Sequence, residues 1–125
     1  MFITEYLKDL TGSIEQYAKT GLILSTELKV DARTEKLGLI KGQLIFLDGS
    51  RLCFTEYLDL RYKLEKLSYV FHYQDQHDKL LFRYDNALHK PAIASIDHKH
   101  SEQGVEPSSV PELAAVLEEI LQILL

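Results

Sequence analysis

Leu37 to Leu60 reads LGLIKGQLIFLDGSRLCFTEYLDL, two apolar runs on either side of Asp48-Gly49. Asp-Gly is a strong hairpin signal, because a tight turn requires positive φ and glycine adopts it without steric cost. Leu37–Leu47 and Arg51–Leu60 are therefore expected to be adjacent antiparallel strands, the first apolar enough to lie centrally. Upstream, Leu22, Leu24, Thr26, Leu28, Val30 and Ala32 alternate with Ile23, Ser25, Glu27, Lys29, Asp31 and Arg33. That period of two predicts a strand with one largely wet face. Further back, Ile3, Tyr6, Leu7, Leu10, Ile14 and Tyr17 recur at spacings of three and four, an amphipathic helix that Gly12 weakens by about 1 kcal/mol and Gly21 stops.

Downstream, Ser68–Gln74 and Lys79–Asn86 predict a second hairpin across Asp75-Gln76-His77-Asp78. Burying Tyr69, Phe71 and Tyr73 together with Leu80, Phe82 and Tyr84 forces Val70, His72 and Gln74 beside Leu81, Arg83 and Asp85 on the opposite face. Residues 87–108 show no period and are expected to form a loop long enough to be functional or mobile. Ser109 and Glu112 fit a capping box ahead of a last helix whose stripe is Leu113, Val116, Leu117, Ile120, Leu121 and Leu124. The expected fold is α+β. It is an antiparallel sheet of about five strands in meander order, flanked by N- and C-terminal helices, in a single domain over 1–125.

A chain of 125 residues can bury a hydrophobic core. Its net charge of -5 argues against coating nucleic acid by electrostatics alone, which requires many Lys and Arg contacts to phosphate. Cys53 is the sole cysteine, so no internal disulfide can form. Lys8, Asp9 and Glu15 interrupt what a signal peptide would keep apolar, and no run approaches the roughly 20 apolar residues of a membrane helix. A cytoplasmic protein without membrane association is expected. The apolar end, Ile120 to Leu125, is broader than one stripe requires and could dock onto a second copy or a partner.

His72, His89, His98 and His100 lie in or just after the second hairpin, among Arg83, Asp85, Asp97 and Lys99. Imidazole takes and gives protons near neutral pH. Two imidazoles beside a cation suit phosphodiester cleavage without a metal. One removes the ribose 2′-hydroxyl proton, one protonates the leaving oxygen, and Arg83 or Lys99 stabilises the phosphorane charge. The bland alternative is a polar loop that happens to carry histidines. The same residues could hold zinc, with His98 and His100 joined by His72, His89 or Asp85, although no recognised ligand spacing is present. Glu56 alternates with Leu52, Phe54, Leu58 and Leu60 and so points into an apolar environment. There it is either an activated acid–base group or a carboxylate paired with Arg or Tyr. Gly-rich phosphate loops and serine or cysteine nucleophile motifs are absent from the sequence.

The runs Tyr69-Val-Phe-His-Tyr-Gln-Asp75, Leu81-Phe-Arg-Tyr-Asp-Asn-Ala87 and His98-Lys-His-Ser101 resemble the TumE-like toxin family of prokaryotic toxin–antitoxin modules. The similarity covers the chain from Gly49 onward and is most specific at Arg83-Tyr84-Asp85-Asn86-Ala87. It carries over His72, Arg83, Tyr84, Asp85, Asn86, His89, His98, Lys99 and His100, with Glu56 as the strand carboxylate. Leu88, Lys90 and Ile96-Asp97 depart from the family pattern. The resemblance implies a small toxin silenced by a cognate antitoxin. Joined to the histidine chemistry and the analogy with other small toxins, it points to a metal-independent endoribonuclease acting on RNA without a cofactor. On that reading His98 and His100 are acid and base, Arg83 and Lys99 stabilise charge, and His72 and Glu56 complete the catalytic set. Tyr84, Asp85, Asn86 and His89 bind or support. Two alternatives stay open: a metal-dependent toxin acting on nucleotides or tRNA, and a non-catalytic module that uses the same face to bind a partner, with a homodimer through the last helix.

Overall fold

The computed structural model describes residues 1–87 and 97–125. Seven antiparallel strands follow one another in sequence order: β1 (Ile23–Ala32), β2 (Leu37–Phe46), β3 (Arg51–Asp59), β4 (Glu65–Gln74), β5 (Leu80–Asp85), β6 (His98–Ser101) and β7 (Gly104–Pro107). Helices α1 (Ile3–Ala18) and α2 (Leu113–Leu124) bracket them. The α+β meander flanked by two helices is as the sequence predicts, with seven strands where about five were expected. The additional pair, β6 and β7, lies inside the stretch read as loop. It turns at Gly104, whose φ of +106° favours glycine.

Period-two alternation in the strands meets period-3.6 stripes in the helices at one core. Ile40, Leu44, Phe46, Leu52, Phe54, Leu58, Tyr69, Phe71, Tyr73 and Phe82 face Ile3, Leu10 and Ile14 of α1 and Leu113, Val116, Leu117 and Ile120 of α2. Both helices thus cover one face of the sheet. In the middle of the sheet the Phe54 ring lies over Gly42, in the space a Cβ would fill.

Three local expectations need correction. The β1 stripe is shallower than its alternation implies: a bulge between Ile23 and Ser25 shifts the register, and most of the strand is exposed at the sheet edge. β4 begins before Ser68, because an irregularity after Tyr57 admits Glu65 and Lys66 to the ladder. The last helix starts from Glu112 with no side-chain cap bond, so Ser109 and Glu112 do not form the expected capping box. Glu5 does cap α1, accepting the Phe2 amide at 3.0 Å.

Candidate active site

Cross-strand partners in a sheet project to the same side. His72 pairs with Arg83, and Arg83 pairs with His100, so the three form one row across β4, β5 and β6 on the face away from the helices. Two pairs along, Asp85 lies opposite His98 on that same face. The hairpin register argued from aromatic burial is the one observed here: Phe71 opposes Tyr84, and Tyr73 opposes Phe82. The end of the hairpin departs from that reading: a shift after Tyr73 sets Gln74 opposite Leu80 rather than Leu81, and Leu81, not Leu80, packs against the core.

Asp85 organises the cluster. Its Oδ1 lies 2.7 Å from His98 Nε2 and accepts the Ala87 amide at 3.1 Å. Its Oδ2 accepts the Arg83 Nε–H at 2.8 Å and stands 3.6 Å from His100 Nε2. The His98 and His100 rings meet nearly edge to face at 4.8 Å. Burial tends to raise the Asp85 carboxyl, but the Arg83 and Ala87 hydrogen bonds, with the charges of His98 and Arg83, hold it below the usual range. His72 is lowered from its ordinary 6.5 by burial first and then by the Arg83 charge. It is therefore mainly neutral at pH 7.

Access divides these residues. Asp85 and His98 are buried, with His98 fully so. The side chains of His100 and Arg83 are 22% and 40% exposed, and His72 is half-buried. Asp85 and His98 can hold the site in shape, while His72, Arg83 and the exposed edge of the His100 ring, whose Nε2 is buried, can touch a ligand. The donor atoms of Asp85, His98 and His100 also lie within 4.8 Å of one another, a nitrogen and oxygen set of the type zinc accepts.

The structure separates other residues that the sequence grouped with them. Lys99 sits between two site histidines in sequence, so alternation turns it to the helix side. There its Nζ pairs with Glu119 of α2 at 2.8 Å and lies over the Phe82 and Tyr84 rings. Tyr84 donates its hydroxyl to the same Glu119. Glu56 is fully buried beneath the helices, where its carboxylate accepts the Tyr6 hydroxyl at 2.9 and 3.0 Å and contacts Lys66 Nζ at 2.6 Å. Of its two sequence readings, the paired carboxylate is the one the geometry matches, with Lys and Tyr as partners. Asn86 fastens strand backbone, accepting the Tyr69 amide and donating to the Leu67 carbonyl, both at 3.1 Å. His89 lies outside the described residues, as do Leu88, Lys90 and Ile96.

Two neighbours were not singled out in the sequence. Glu119 anchors Lys99 and Tyr84, and its only sequence signal is a carboxylate on the α2 face between core positions. Cys53 opposes His72 and extends the polar row onto β3. Only the β3–β4 register, which is not readable from composition, puts it there.

Residues 13–124 match the family model for the toxin TumE. The chain belongs to the TumE toxin family. Membership extends the resemblance upstream of Gly49, through the C-terminal part of α1 from Ser13 and all of β1 and β2. It makes this chain a TumE-type toxin and implies a cognate antitoxin as its partner. No curated protein and no solved structure matches the chain. No helix among the described residues is long and apolar enough to cross a membrane.

Proposed function

We propose that this TumE toxin acts as an endoribonuclease that uses His72, Arg83 and His100 without a metal. The observation that carries the reading is the row itself, a guanidinium between two imidazoles on a partly exposed sheet face. His72, held neutral, accepts the proton of a ribose 2′-hydroxyl as that oxygen attacks the adjacent phosphorus. Arg83 balances the charge that develops on the phosphorane oxygens. His100 in its protonated form gives a proton to the departing 5′-oxygen, leaving a 2′,3′-cyclic phosphate. Asp85 aims the Arg83 fork and, with His98, fixes β6 so that His100 meets the row. An antitoxin that covered this face would silence the site directly.

Purified protein incubated with RNA and excess chelator should yield fragments ending in cyclic phosphate. His72→Ala and His100→Ala should each lower the rate by about 10²-fold or more. Induced in a bacterial host, the native chain should arrest growth, and folded His100→Ala should not. Intact RNA in every buffer would sink the proposal.

A second reading is favoured by the proximity of the Asp85, His98 and His100 donor atoms. In it these three bind a divalent ion that activates water or a nucleotide phosphate. Activity lost with chelator and regained with zinc or manganese would select it over the metal-free mechanism.

A further inference from the structure

We propose that the open edge of β1 joins a second copy of this chain, strand against strand, about a two-fold axis through Leu28. The inference stands apart from the chemistry of the His72–Arg83–His100 row. β1 is the end strand of the sheet and ten residues long, whereas the opposite end strand, β7, has four. One side of β1 pairs with β2. Among the described residues nothing pairs with its other side, and a long open edge is a template for another strand.

The sequence of β1 is complementary to itself in one register. Antiparallel pairing centred on Leu28 sets Glu27 of each copy opposite Lys29 of the second copy, so two opposite-charge pairs flank the axis. Thr26 then faces Val30, and Leu28 faces its own equivalent. Neighbouring registers are penalised. Centring on Glu27 sets that carboxylate against itself, and centring on Lys29 opposes two lysines and sets Glu27 against Asp31. Like charges directly opposite destabilise a sheet pair.

The surface around the strand fits the same arrangement. Leu24 and Val30 are exposed by 61% and 41% on the open edge. Beside Val30 and Ala32 runs a groove of about 440 Å³ lined also by Phe2, Ile3 and Leu7. With Leu28 on the axis, the bulge that carries Leu24 of the second copy comes beside Ala32, at the mouth of that groove. One contact therefore covers both the exposed leucine and the apolar hollow. On α2, Leu113, Val116, Leu117 and Ile120 belong to the core, while Ile123 and Leu125 at its end are exposed. The axis is perpendicular to the sheet, so both copies present the His72–Arg83–His100 face on the same side of one continuous sheet.

Light scattering and sedimentation of the purified chain, from about 1 to about 100 µM, should show a dimer. Glu27→Lys and Lys29→Glu should each weaken it by about tenfold or more, because each converts both flanking pairs to like charges. The combined swap Glu27→Lys/Lys29→Glu recreates the pairs with reversed polarity and should restore the dimer. Leu24→Asp should also dissociate it, with far-UV circular dichroism unchanged. A chain that stays monomeric throughout overturns the proposal, and that is also the outcome if the edge receives an extended segment of a different protein. A dimer indifferent to the single changes, or not rescued by the swap, overturns it too.

Discussion

Lys66→Met tests the buried ion pair beneath the helices. Lys66 is 5% exposed and Glu56 fully buried, with Nζ 2.6 Å from Glu56 Oε2. The same ammonium donates to the Pro111 carbonyl at 2.7 Å and lies over the Phe71 ring. Methionine retains most of the aliphatic stem but removes the charge. The Glu56 carboxylate then keeps the Tyr6 hydroxyl while losing its cation, and Pro111 loses a donor. Breaking a buried pair from one side costs about 3–5 kcal/mol. The retained stem places the expected loss near the lower end, about 3–4 kcal/mol, a large part of a typical domain's stability. With a urea slope of about 1.5 kcal/mol per M, the midpoint should fall by about 2 M. Urea titration by far-UV circular dichroism at pH 7 gives the number. Glu56→Gln/Lys66→Met removes both charges and should recover to within about 1 kcal/mol of the native chain. Under the proposed mechanism it should also retain RNA cleavage per folded molecule, because Glu56 stands on the far side of the sheet from His100. A single-variant loss below about 1 kcal/mol, or a double variant no better than the single, would refute the reasoning, since water must then already reach the pair.

Gly42 of β2 and Gly12 of α1 diverge in their expected response. Gly42→Ala should cost about 1–3 kcal/mol by overpacking against Phe54, whereas Gly12→Ala, with open space around its Cβ, should stabilise α1 by about 0.5–1 kcal/mol; denaturant midpoints of the two variants decide it. Tyr73→Phe removes a buried hydroxyl that donates to Ser50 Oγ at 2.8 Å, and should lose about 1 kcal/mol in the same titration. His72 should titrate below 6.5 by NMR, and Arg83→Gln should move it upward, because that guanidinium charge is one cause of the depression. Under the proposed mechanism, activity therefore climbs as pH rises through the His72 value, on a limb lying below 6.5. A His72 titration above 6.5 would remove it from the role of base.

Where hydrophobic periodicity was strong, the fold was legible before the coordinates. Asp48-Gly49 placed the β2–β3 hairpin, and aromatic burial fixed the β4–β5 register closely enough to bring His72 beside Arg83. β6 escaped notice for a physical reason. His98, Lys99, His100 and Ser101 are all polar, so their alternation between faces leaves no trace in hydropathy. For the same reason the compact run His98-Lys99-His100 looked like one cluster, whereas a strand sends its middle residue to the opposite side. Glu56 was read correctly as inward-pointing. Its partner Lys66 was not foreseen, because only the irregular entry to β4 brings that ammonium under α1. The shallow burial of β1 was hidden because an edge strand and a covered strand can share the same alternation.

The position of β6 within the sheet bears on how long the site remains assembled. β6 and β7 are four residues each, and β7 is exposed along its whole length. Short end strands open locally at much lower free energy than a central strand such as β3. Detachment of β6 takes His98 and His100 away from Asp85 and Arg83 while leaving the aromatic core closed. Amide hydrogen exchange should therefore run faster at Lys99 and His100 than at Phe54 or Phe71. Folded molecules and site-competent molecules are then two different populations, and the ratio between them is set by one short hairpin.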